Sequence, residues 1–94
     1  MIRHIVMWKF REGEEEKREQ FFSGLQALYG VIPEIRAMEL HRSCKPGNSY
    51  DACLIADFDS LEALSRYKND PRHVAVSQLC KSIRESRGAI DYEL

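Results

Sequence analysis

The opening strand-like stretch poses a packing problem that the rest of the chain has to solve. In IRHIVMWKF, residues 2 to 10, alternation puts Ile2, His4, Val6, Trp8 and Phe10 on one face and Arg3, Ile5, Met7 and Lys9 on the other. The β-branched and aromatic content predicts a strand, and its centre is apolar on both sides. In REGEEEKREQFFSGLQALYG the pattern changes: Phe22, Leu25, Leu28, Tyr29 and Ile32 recur at helical spacing. Glu14, Glu15 and Glu16 lie where a helix N-terminus favours negative charge, and Gly30 with Pro33 behind it predicts the helix end.

Residues 35 to 42, IRAMELHR, predict a more polar edge strand, and SCKPGNS reads as a turn. YDACLIADF predicts a third strand with Ala52, Leu54, Ala56 and Phe58 on one face and Cys53 and Ile55 on the other. It too is apolar on both sides, as a central strand would be. Ser60 is placed to cap a short helix carrying Leu61, Leu64 and Tyr67. Val76, Leu79, Cys80 and Ile83 predict a further helical segment, Gly88 its end, and AIDYEL a short last strand.

Strand, helix, strand, strand, helix pair, strand is the order of a ferredoxin-like βαββαβ fold of the α+β class, an antiparallel sheet with helices on one face. One such domain accounts for all 94 residues. The helices can cover only one face, yet the first and third strands are apolar on both. Leaving Ile5, Met7, Cys53 and Ile55 in a contiguous exposed patch invites aggregation, and burying each large side chain is worth roughly 1.5–3 kcal/mol. No segment is left to supply the cover, so a second copy related by a two-fold axis is expected, giving a homodimeric α/β barrel.

Between the two predicted helices, YKNDPRHV is a helix start. Asp70 suits the N-cap, Pro71 the first helical position, and His73 the third. The helix dipole disfavours an imidazolium there, while Asp70 pulls the other way. His73 therefore reads either as a residue that packs and stabilises the turn or as a neutral base. His4, on the face with Val6 and Trp8, reads as a core histidine or a pocket residue. Trp8 and Tyr29 read as core, and aromatic rings also line apolar ligand pockets.

Charge narrows the partners. With 31% charged residues and a formal net charge of −1, the chain has no basic excess for nucleic acid or an anionic membrane. The apolar run from Ile5 to Trp8 is too short for a signal peptide or a span, so a cytoplasmic location is expected. Cys44, Cys53 and Cys80 lack C-x-x-C spacing, and His41 with Cys44 makes a lone H-x-x-C, so neither a disulfide framework, a metal nor a cofactor is expected. No Gly-rich phosphate loop or nucleophile elbow is present, and there is no aromatic RNA-binding pattern on the strands.

Four pieces of the chain carry a family resemblance: H-x-V-x-x-x-F from His4 to Phe10, F-x-S-x-E-x-L-x-x-Y from Phe58 to Tyr67, the Pro-x-His of Pro71 to His73, and Asp91-Tyr92 near the end. Together they resemble the stress-responsive dimeric A/B barrel (Dabb) family. The resemblance implies a ferredoxin-like protomer whose sheet joins its twin's to enclose a barrel, and functions that range from plant stress proteins to polyketide cyclases. In cyclase-like members the Pro-x-His histidine and the tyrosine six residues before it act as base and polar partner, which here implies His73 and Tyr67. Two functions stay open: a stress-related barrel holding a small apolar molecule near His4, Trp8 and Tyr29, or a cofactor-free cyclase-like lyase or monooxygenase using His73 and Tyr67.

Overall fold

The computed structural model describes residues 1–94. Its elements are β1 (Ile2–Phe10), α1 (Glu15–Gln26), β2 (Ala37–Arg42), β3 (Ala52–Phe58), α2 (Leu61–Asn69), α3 (Pro71–Ile83) and β4 (Arg84–Glu93). The strands form one antiparallel sheet in the order β2-β3-β1-β4, so the two doubly apolar strands are central. This is the expected ferredoxin-like arrangement.

Alternation along the central strands sorts the two faces. Ile2, His4, Val6, Trp8 and Phe10 on β1 and Ala52, Leu54, Ala56 and Phe58 on β3 are all buried against the helices. Aromatic edges lock α1 to β1, with Trp8 and Phe21 5.1 Å apart and Phe10 and Phe22 5.6 Å apart between ring centroids. On the opposite face Ile5 pairs with Ile55 on one side and Ile90 on the other, making a row of isoleucines across three strands. Ile90 is 58% exposed and Met7 37%, so this face carries an apolar stripe with no cover from its own chain. Arg3 and Asp57 close one end of it with paired hydrogen bonds of 2.9 and 3.1 Å.

Several expectations need correction. The first helix stops at Gln26, because Leu28 and Tyr29 turn to hydrogen bonds with carbonyls three residues back. The following turns still bury Leu28 and Ile32, but they rotate Tyr29 outward to 49% exposure, so it is not core. Phe21, unassigned from the pattern, is buried beside Phe22. Leu61, read as part of the second helix's apolar pattern, is 63% exposed, and Ala63 is buried with Leu64 and Tyr67 instead. Gly88 does not end a helix. It lies inside β4, paired with Met7, where a Cβ would sit 3.2 Å from the Tyr50 hydroxyl oxygen. The last strand therefore spans ten residues rather than a short tail.

Candidate functional site

The helix break at Asp70 builds the site. Asp70 ends α2 with its N–H donating to the Tyr67 carbonyl and begins α3 with its side chain accepting from the Arg72 N–H. Pro71 follows at the start of α3, where the missing N–H costs nothing. An acceptor role toward Arg72, through main chain and guanidinium, holds the Asp70 carboxyl down at about 2. The chain turns here between Tyr67, in the last turn of α2, and His73, in the first turn of α3. Their rings come to 4.3 Å between centroids, inclined by 45°.

Beneath them lies a cavity of about 50 Å³ between sheet and helices, whose wall includes His4, Trp8, Tyr67, His73, Ser77 and Cys80. A polar recess of about 270 Å³ adjoins it and shares His4, His73, Ser77, Arg84 and Arg87 with it. Of the residues singled out in the sequence, His73, Tyr67, His4 and Trp8 are thus brought together. Tyr29 lies outside this wall, at the turn after α1.

Each polar group in the wall is in a defined state. Tyr67 is 1% exposed, and its hydroxyl is buried with no hydrogen-bond partner. Burial pushes that hydroxyl well above the ordinary phenol range, the nearby Arg87 charge opposing this, so it stays protonated and can donate. His73 Nδ1 donates to the Lys68 carbonyl at 3.1 Å. A carbonyl can only accept, so Nδ1 carries the hydrogen and Nε2 keeps its lone pair. His4 Nδ1 likewise donates to the Asp91 carboxylate at 2.5 Å, which fixes the same tautomer. Burial lowers both imidazoles below their ordinary range. Asp91 opposes this at His4 and the Lys68 carbonyl opposes it at His73, while the charges of Lys68 and Arg87 add to the lowering at both. Burial pushes the Cys80 thiol up, leaving it unreactive.

Two neutral imidazoles and one unsatisfied phenol on a single wall constitute an acid–base set: a base at Nε2 and a donor at the Tyr67 hydroxyl. Asp91, Arg84 and Arg87 were not assigned from sequence. His4 and Asp91 are 87 positions apart, and only strand pairing joins them. His41 meets Glu39 at 3.2 Å, and no three His, Cys, Asp or Glu side chains are gathered as a metal site. No helix is long and apolar enough to cross a membrane.

The chain is similar to known proteins in sequence and in fold. Olivetolic acid cyclase from Cannabis sativa is 25% identical over 95 residues, spanning 97% of this chain and 94% of its own length. A dimeric ferredoxin-like protein of unknown function from Bacteroides fragilis is 33% identical in its crystal structure, with a TM-score of 0.88 over 99% of this chain and 95% of its own. Hydroxynitrile lyase from Passiflora edulis has the same fold at 14% identity, with a TM-score of 0.88 over 99% of this chain and 92% of its own. Residues 2–94 match the model of the stress responsive A/B barrel domain, and the chain belongs to that family.

Proposed function

We propose that the protein is an acid–base catalyst that enolises a small carbonyl compound, acting as a homodimer. The observation that carries this reading is the buried Tyr67 hydroxyl, which has no partner within the protein and shares a wall with His73. A buried donor left unpaired costs about 1–3 kcal/mol, so a fold that keeps one gains most when a ligand oxygen accepts from it.

In the proposed reaction the ligand's carbonyl oxygen accepts from the Tyr67 hydroxyl. His73 Nε2 takes the proton from the adjacent carbon, and the C–H electron pair becomes the enolate double bond. The enolate carbon then attacks a second carbonyl of the same molecule, and the resulting alkoxide recovers the proton from the His73 imidazolium. His4, oriented by Asp91, lines the same wall and limits how that ligand sits. Similarity to a cyclase over almost the whole chain supports a reaction of this type. The uncovered isoleucine row, and a similar solved protein described as dimeric, support the homodimer.

Deuterium incorporation at the α-carbon of 2-butanone, followed by NMR in D₂O, tests the chemistry without knowledge of the natural substrate. A positioned base contributes about 10²–10⁴-fold, so wild type should exceed buffer clearly, with the excess lost in His73→Gln and reduced in Tyr67→Phe. Saturable binding of ketones with no exchange above the buffer rate would make the protein a ligand carrier instead.

A further inference from the structure

Half of the 14 Lys and Arg side chains of this protein are neutralised where they stand. Arg3, Lys9, Lys17, Arg36, Arg42, Arg66 and Arg72 each meet a carboxylate. Of the seven that meet none, Lys68, Lys81, Arg84 and Arg87 line the polar recess of about 270 Å³, and the two arginines also reach the wall of the cavity. The rest of its wall is His4, His73 and Ser77, with no carboxylate among them.

Three of the four cations have an ordinary reason to be there. Lys68 and Lys81 occupy the last turns of α2 and α3, where the helix dipole favours positive charge. Arg84, the C-cap residue of α3, shares that reason, but Arg87 does not, and both arginines belong to β4. Three positions apart on a regular strand, they would point to opposite faces. A β-bulge prevents this: Arg84 pairs with Phe10, Ser86 with Lys9 and Arg87 with Trp8, so Glu85 is the extra residue. Phe10 and Trp8 both face the helices, and the bulge therefore raises both guanidinium groups on the helix side, at the recess. The cavity behind them holds the second independent sign of a ligand, the unpartnered Tyr67 hydroxyl at 1% exposure.

We propose that this recess binds the oxyanion of an amphiphilic ligand, a carboxylate or phosphate held by Arg84 and Arg87 while the ligand's short uncharged part enters the cavity beside Tyr67. The proposal rests on the acid–base reading for the ligand's reacting end, and binding rather than turnover tests it. Guanidinium groups match both anions through paired N–H donors, and the two lysines add unneutralised charge around them.

Titrations of ¹⁵N-labelled protein with butyrate, monobutyl phosphate and the neutral butyramide distinguish the cases. At low salt at least one anion should bind ten-fold or more tightly than the amide, and that preference should shrink as ionic strength rises. The tighter of the two anions identifies the group. The Arg84→Gln/Arg87→Gln double variant, folded by its amide spectrum, should lose the preference. Lys45→Gln, which removes a cation at a different surface pocket, should keep it. Equal affinity for the three compounds, no saturable anion binding, or a preference that survives the double variant overturns the proposal. Wild type that prefers anions but never exchanges deuterium sinks only the acid–base reading.

Discussion

The rings of Tyr67 and His73 stand 4.3 Å apart across a helix break, and neither residue shares a helix with the other. Had α2 run on without interruption, positions 67 and 73 would differ by 600° of rotation, more than 100° from facing the same way. Asp70 and Pro71 remove that constraint by stopping one helix and starting another. The cap is therefore part of the site's construction as well as of its stability.

The tautomers follow from the hydrogen bonds and can be read directly. Nδ1 of His4 donates to Asp91, and Nδ1 of His73 donates to Lys68. Long-range ¹H–¹⁵N correlation at pH 7.5 should find both rings protonated at Nδ1, the minority form of free histidine. Asp91→Asn replaces an acceptor with a side chain that can donate, so His4 alone should switch to the Nε2–H form. If His4 is Nε2-protonated in wild type, the assigned role of Asp91 is wrong.

Stability should decline on mild acidification before most carboxylates titrate. His4 and His73 are both lowered from 6.5 in the folded protein. As pH falls below about 6.5 the unfolded chain takes up protons that the folded chain resists, so the unfolded state gains. The two histidines' contribution is complete above pH 6.5 and is lost as pH falls through their folded pKa values. Urea midpoints at pH 7.5, 6.5 and 5.5 measure the slope, which His4→Gln and His73→Gln should each make shallower. A wild-type midpoint that holds steady or rises over this range contradicts the lowered imidazoles.

The uncovered sheet face gives a test of assembly. Light scattering should report twice the 11.0 kDa chain mass at micromolar concentration. Ile55 ends the isoleucine row on β3, paired with Ile5 on one flank and with Glu39 on the other. Ile55→Glu should yield monomer or aggregate, since an unpaired carboxylate in an apolar contact is strongly destabilising. A wild-type monomer, or an unchanged dimer in the variant, places the interface elsewhere.

What could be read from the chain was what local chemistry encodes. Period-2 alternation gave the two faces of β1 and β3, and Ser60 and Asp70 act as the caps their side chains suit. Tyr29 misled because helical spacing persisted past Gln26, where the backbone had already changed its hydrogen bonds. Gly88 misled because glycine serves equally as a helix stop and as a point of close approach, here beneath Tyr50. The His4–Asp91 pair and the shared orientation of Arg84 and Arg87 depend on strand register and a bulge, which no single segment specifies. Of the candidate wall, His4, Trp8, Tyr67 and His73 were singled out from the sequence, and its electrostatics were not.

Tyr67→Phe separates stability from function most directly. The phenol ring contacts Phe58 and His73 at 4.9 and 4.3 Å between centroids, and phenylalanine keeps those contacts. Only the hydroxyl is lost, and it has no partner to lose with it. An unsatisfied buried polar group costs about 1–3 kcal/mol, so the variant should be more stable than wild type by roughly 1 kcal/mol or more. For a chain of this size that is a rise of roughly 4–8 °C in Tm. Deuterium exchange into the ketone should fall at the same time. A tyrosine kept for packing alone would gain Tm and leave exchange unmoved, and one bound to a structural partner would lower Tm. A gain in Tm with a loss of exchange is the signature of a hydroxyl retained, at a cost to the fold, for a ligand oxygen.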